Sequence, residues 1–321
     1  MRRFKLTTLA FTALFSSQLH AETVFVTLEK DNAIAVLDPV EAKLIKTVNV
    51  GQRPRGIALS PDQKQLFIAT SDDNTIRIFD ASSLKELGRL PSGEDPETFA
   101  LSPDGKSMYV SNEDDSQVTV IDIASKKAVQ KIKVGVEPEG IAASPDNRWL
   151  VSASETTNML HWIDTKSRQI VENTLVDPRP RAVNFTADSQ QLWATSEMAG
   201  TVMVLDTASK QIIQTIKLEV AGISSDLIQP VGVVIDKDRH YAYVAMGPAN
   251  RVAVINAQTF QVEKYLLVGQ RVWNLAFSPD QKQLYTTNGI SNDVSIINLV
   301  EQKVVKSVTV GRYPWGVAVK P

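Results

Sequence analysis

The sequence has no cysteine and only three histidines in 321 residues. The first absence excludes disulfides, thiolate metal centres, iron–sulfur clusters and covalently attached c-type haem. The second leaves too few imidazoles for a multi-histidine zinc or copper site. Long hydrophobic runs are missing as well, and the longest apolar stretch falls far short of the ~20 residues that a bilayer span needs. What remains is 43% hydrophobic and 22% charged, a globular composition with too much apolar content for disorder.

Residues 1–21 read as an export signal. Arg2, Arg3 and Lys5 make a basic start, Leu6 to Phe15 form a short apolar stretch, and Gln18-Leu19-His20-Ala21 is a cleavage region. This predicts a mature chain from Glu22 that is periplasmic or secreted and is not inserted in a membrane. Without the signal the chain carries 31 basic against 36 acidic residues, a net charge of −5. That balance counts against nucleic acid as a partner.

The remainder is one repeat. Ser60-Pro61-Asp62 recurs as Ser102-Pro103-Asp104, Ser144-Pro145-Asp146 and Ser278-Pro279-Asp280, with degenerate copies ending at Asp188 and Asp238. The step is 42 residues except before Asp238, where it is 50. A second column, Asp38, Asp80, Asp122, Asp164, Asp206, Asn256 and Asn298, shares both the spacing and the eight-residue insertion. Each unit holds four short strands, illustrated by Gly56–Ser60, Gln65–Thr70, Thr75–Phe79 and Glu86–Leu90, separated by turn residues. Four strands in about 40–45 residues is the pattern of a propeller blade. Continued past Pro321, the phase arrives at residue 20, two short of Glu22. The prediction is therefore an all-β, seven-bladed β-propeller over residues 22–321, closed by pairing Arg312–Lys320 with Val24–Thr27. The second-column aspartates need no function, because an Asp ending a strand accepts N–H bonds from the following turn.

Tyr109-Val110-Ser111-Asn112, Phe67-Ile68-Ala69-Thr70 and Tyr285-Thr286-Thr287-Asn288, together with the line from Val50-Gly51 to Asp62, resemble the signature of YVTN-type propeller repeats. In overall pattern and length the chain is most similar to the exported propellers associated with pyrroloquinoline-quinone (PQQ)-dependent alcohol catabolism. That resemblance implies a periplasmic accessory role beside a quinoprotein dehydrogenase or a soluble cytochrome.

The connections between blades locate a candidate site. The residue after the proline position is Arg55, Glu97, Glu139, Arg181, Val231, Trp273 and Trp315 in turn. The residue before it is Arg53, Asp95, Glu137, Arg179, Gln229, Arg271 and Tyr313. Equivalent positions must form a ring at one channel mouth. Arg53, Arg55, Arg179, Arg181, Arg271, Trp273, Tyr313 and Trp315 are the candidate ligand-binding residues. Guanidinium forks hold carboxylates and indoles stack on conjugated rings, so a planar anion such as PQQ is the expected ligand. The alternative is that Arg55 pairs with Glu97 and Arg181 with Glu139, in exposed ion pairs of little energetic weight. Glu97, Glu139, Glu113 and Glu155, with Glu29 and Glu197 in the same acidic column, offer oxygen ligands for a hard cation such as calcium.

The insertion around 219–228 enlarges a loop on the mouth face. His240 occupies an exposed turn position, and His161 is expected to pack inside a blade. No Ser-His-Asp arrangement or axial haem ligand emerges, which points to a binding protein rather than a lactonase-like hydrolase or a single-stranded-DNA-binding propeller.

Overall fold

Short β-branched runs separated by turn residues fold the chain into seven four-stranded antiparallel sheets, in a computed structural model that describes residues 22–321. The expected signal peptide, residues 1–21, and His20 with it, lie outside the described residues. One sheet is built from Pro54–Leu59, Gln65–Thr70, Thr75–Asp80 and Glu86–Pro91, and the pattern repeats around a seven-bladed β-propeller. Blades are counted here from that one. Inner strands opening at Pro54, Pro96, Pro138, Pro180, Val233 and Val272 begin the first to the sixth.

The seventh blade closes the ring. Pro314–Lys320 is its inner strand and pairs with Thr23–Leu28, followed outward by Ala33–Asp38 and Lys43–Asn49. The register sets Val24 against Val319 and Val26 against Val317. Closure thus involves the two segments expected from the phase arithmetic.

Burial peaks in the middle strands of each sheet, because only they are covered on both faces. Leu66 to Thr70 is wholly buried, whereas Lys43–Asn49 is exposed almost throughout. The cores lie between neighbouring blades. Val26 and Leu37 of the closing blade, for example, pack with Tyr285 and Ile296 of the sixth. Glycines on the inner strands let neighbours approach closely. A Cβ on Gly140 would stand 2.2 Å from the Arg181 carbonyl oxygen, and one on Gly316 would stand 2.4 Å from that of Arg55.

The Ser-Pro-Asp turns cap the face opposite the mouth. Ser144 Oγ donates to Asp146 Oδ1 at 2.5 Å and accepts from the backbone N–H of Trp149 at 2.8 Å. Ser102 and Ser278 make the same bonds. The second column also behaves as expected, with Asp80 Oδ1 accepting from the N–H groups of Ser82 and Ser83 at 3.1 and 2.7 Å. Among the described residues no helix is long and apolar enough to cross a membrane.

Candidate functional site

The ring is in place, with one correction to how it is held. Pro54, Arg55 and Gly56 belong to the inner strand itself rather than to a connecting loop, with a register shift between Pro54 and Ile57. The strand pins Arg55, Glu97, Glu139, Arg181, Trp273 and Trp315 at the mouth end of the channel.

The residue before the proline position needs a different restraint. Arg53, Asp95, Glu137, Arg179, Arg271 and Tyr313 all adopt left-handed backbone, with φ from 45° to 60°. Side chains other than glycine resist this conformation unless their surroundings impose it. An asparagine in the hairpin two connections earlier does so in five cases. Asn32, Asn74, Asn158, Asn250 and Asn292 accept the backbone N–H of Arg53, Asp95, Arg179, Arg271 and Tyr313 through Oδ1 at 2.8–3.0 Å. This asparagine column repeats at the same 42- and 50-residue steps as the others, and sequence reasoning overlooked it.

Charge fills the mouth. Arg55 is ion-paired with Glu97 and lies 3.6 Å from Glu29, while Arg53 reaches Glu97 at 3.0 Å and Asp95 at 2.8 Å. Across the ring Arg181 pairs with Glu139 at 2.7 Å and with Glu155 at 2.5 Å. Arg179 holds Glu155 and Glu197 at 2.9 Å each, and Arg271 bridges Glu197 at 3.1 Å and Gln229 at 2.7 Å. Both pairings considered from the sequence, Arg55–Glu97 and Arg181–Glu139, are present. They are buried rather than exposed, with Glu97 at 0% and Arg181 at 8% exposure, so removing one partner strands the other away from water. The indoles back the guanidiniums. Arg55 lies 5.4 Å from the Trp315 ring centre and Arg271 4.2 Å from that of Trp273. Tyr313 stands at the rim beneath Lys30.

Acids outnumber cations. Glu29, Asp95, Glu97, Glu113, Glu137, Glu139, Glu155 and Glu197 stand around five arginines. Burial, then the nearby carboxylates of Glu97 and Glu139, push Glu113 up to about 8. Burial raises Glu97 to about 7 against the pull of Arg55. Glu139 is driven up by burial and by its hydrogen-bonded neighbour Glu155, against the pull of Arg181. The four acids considered for a cation divide between two places. Glu97 and Glu113 meet Asp95, with ligand oxygens all within 4.8 Å of one another, whereas Glu139 and Glu155 are taken by Arg181 and Arg179.

Below the ring lies a cavity of about 310 Å³, walled in part by small residues such as Gly140, Ala182 and Gly232. Glu139, Arg181 and Trp315 mark its charged end. Among the described residues, five buried N–H donors at the mouth have no hydrogen-bond acceptor: Trp273 Nε1, Trp315 Nε1 and the Nε atoms of Arg55, Arg179 and Arg181. His161 is fully engaged inside the third blade, accepting from the Gly135 N–H through Nε2 and meeting Asn173 through Nδ1. Burial holds its pKa down. His240 lies exposed on the opposite face.

The fold and this ring define a seven-bladed β-propeller with a charge-paired channel mouth. A family model described as the cytochrome D1 heme domain matches residues 62–174, about a third of the chain. No curated protein matches. Among solved structures, a propeller of unknown function from Desulfotomaculum acetoxidans DSM 771 superposes with a TM-score of 0.79 at 14% identity. That match covers 92% of this chain and 98% of the other. The dihydro-heme d1 dehydrogenase NirN, solved in complex with DHE, gives 0.67 at 16% identity, covering 89% and 63%. Kuenenia stuttgartiensis hydrazine synthase gives 0.55 at 21% identity, covering 76% and 95%. These likenesses establish the fold. The described residues do not fit a histidine-ligated haem at this mouth, since His161 is spent within a blade and His240 lies on the far face.

Proposed function

We propose that this chain is an exported, non-catalytic binding propeller of the YVTN type, acting beside PQQ-dependent alcohol oxidation and binding a planar, acceptor-rich ligand at the channel mouth. The observation that carries this reading is the set of unsatisfied buried donors, above all Trp315 Nε1 on a side chain only 4% exposed. A buried donor without an acceptor costs about 1–3 kcal/mol, which a ligand carbonyl or carboxylate recovers on binding. Trp273, Trp315 and Arg55 are the groups that would hold the ring system of PQQ, with Arg53, Arg179, Arg181 and Arg271 turning to its carboxylates. The quinone itself supplies two-electron redox chemistry when bound to a dehydrogenase. The residues of this chain bind and shield it. Because Glu97 and Glu113 are held up to about 7 and about 8, lowering the pH through that range removes negative charge from the mouth and favours binding of an anion.

The reading is supported by the aromatic and guanidinium faces that the mouth offers together, Arg55 beside Trp315 and Arg271 beside Trp273. Its test is titration of the mature protein with PQQ by tryptophan quenching. Trp315→Phe, which removes only the N–H and part of the ring, should weaken binding by about tenfold, in line with one lost buried hydrogen bond. Affinity should be higher at pH 6 than at pH 8.5. Equal affinity of wild type and variant would remove the ligand from the ring. A second reading, a hard cation held by Asp95, Glu97 and Glu113, rests on their clustered oxygens. Calcium that raises the melting temperature of the wild type but not of Glu113→Gln would favour it.

A further inference from the structure

The loops around the mouth form a face with two unlike halves that extends outward beyond the ring. One half exposes apolar side chains on successive connections and hairpins. Met198 is in the fourth blade at 75% exposure and Ile290 is in the sixth at 53%. Leu227, 41% exposed, is presented by the insertion. That insertion is anchored rather than loose. Its Ile228 is buried, and its Glu219 N–H donates to Tyr265 Oη at 3.1 Å. Large apolar side chains repeated along one face of a folded protein mark a contact surface more often than an accident of composition.

The other half identifies what makes the contact. The four loops 71–74, 92–95, 113–116 and 134–137 lie in sequence around the first to third blades. They hold eight acidic side chains and no basic one. Asp72, Glu94 and Asp114 are exposed, and Glu113, Asp115 and Glu137 are half-buried beside them. Among the described residues two arginines pair with this arc, Arg53 with Asp72 and Asp95 and Arg77 with Asp73. Loops of the apolar half carry arginines and acids in near balance, among them Arg179, Arg271 and Arg312. A polyanion is repelled by such a face, and a membrane surface rich in anionic lipid is repelled too.

We infer that this face docks a soluble protein whose own surface carries a lysine- and arginine-rich patch beside an apolar one. The basic patch would lie over the acidic loops and steer the encounter, while the apolar patch meets Met198 and Ile290 and sets the lifetime of the complex. The contact residues Met198, Leu227, Ile290, Glu94 and Asp114 lie outside the ring's candidate ligand set, and Asp72 meets that set only through Arg53, at 3.7 Å.

A lysine-rich c-type cytochrome serves as probe, with an acidic cytochrome of similar size as control, in calorimetric titrations against the full mature chain. At about 20 mM ionic strength the basic probe should bind and the acidic one should not, and binding should weaken steeply by 150 mM, where charges are screened beyond about 8 Å. The triple change Asp72→Asn, Glu94→Gln, Asp114→Asn should weaken binding about tenfold and flatten the salt dependence. Met198→Ser with Ile290→Ser should weaken it severalfold while leaving the salt dependence intact. All five positions are exposed, so the variants should melt with the wild type and titrate with PQQ unchanged, which separates failure here from failure at the ring. Absence of binding to the basic probe at low salt, or equal affinity of the charge variant, would overturn the inference.

Discussion

The two ends of the channel are built on the same backbone repeat and have opposite characters. On the face away from the mouth, blade after blade repeats one solution, in which a serine hydroxyl bonds an aspartate and caps the next strand. At the mouth, equivalent positions carry arginine, glutamate, valine and tryptophan in a closed network. Repetition is what a purely structural task produces, because each blade faces the same problem. Divergence at symmetry-equivalent positions, held in place by a left-handed residue and an asparagine hook, marks the end where the ring does something the blades do not need.

The sharpest break in this comparison lies in neither face but in the seam joining them. Deleting residues 312–321 removes the inner strand of the closing blade and exposes the edge of Thr23–Leu28. The whole ring should lose its cooperative unfolding transition, and a melting temperature within a degree or two of wild type would show that closure is dispensable. Next in size is Arg181→Ala, which leaves Glu139, Glu155 and Glu197 without their shared cation. It should cost about 3–5 kcal/mol in urea unfolding. Ser144→Ala, the matching lesion on the other face, removes three bonds of one turn and should cost about 1–3 kcal/mol. Comparable losses from the two would erase the distinction between the ends.

The smallest effect concerns pH, and its sign differs between the ends. Glu97 and Glu113 are held at about 7 and about 8, above the ordinary carboxylate range, so the folded chain binds their protons more tightly than the unfolded one. Their contribution to stability is complete below the unfolded value near 4.5 and is lost as pH rises through 7 and 8. The turn aspartates Asp62, Asp104 and Asp280 are held low, first by serine hydroxyl bonds in Asp62 and Asp104 and by the Lys282 N–H in Asp280. What they contribute is present above their usual range and is lost as pH falls below it. The melting temperature should therefore peak near pH 5 and drop by several degrees toward pH 8.5 and again toward pH 3. A flat profile from pH 5.5 to 8.5 would mean that the mouth carboxylates are ionised throughout.

The fold was legible because the repeat is written twice, in two residue columns that share one insertion. Both mark turns, where the chemistry is local and each residue explains its own role. The ring was legible as a set of positions, since phase alone puts Arg55 and Trp315 on one circle. Its electrostatics were not. Burial decides whether Arg55–Glu97 is a screened surface pair or a buried one, and burial at the mouth depends on how closely inner strands pack at Gly140 and Gly316, which lie far apart in the chain. Asn158 and its equivalents were missed for a different reason. They follow the spacing, but a lone asparagine in a hairpin reads as an ordinary turn residue until its partner, 21 positions later, is seen to need a hook.

The pairing of Val24 with Val319 also imposes an order in time. A chain made at about 5–20 residues per second exposes Thr23–Leu28 for roughly 15–60 s before its inner neighbour exists. Six blades can form as they are made, but the first strands to appear belong to the last blade completed. During that interval the open edge of Thr23–Leu28 is the part of the nascent protein most able to pair wrongly, and whether the ring forms is decided by the arrival of Pro314–Lys320.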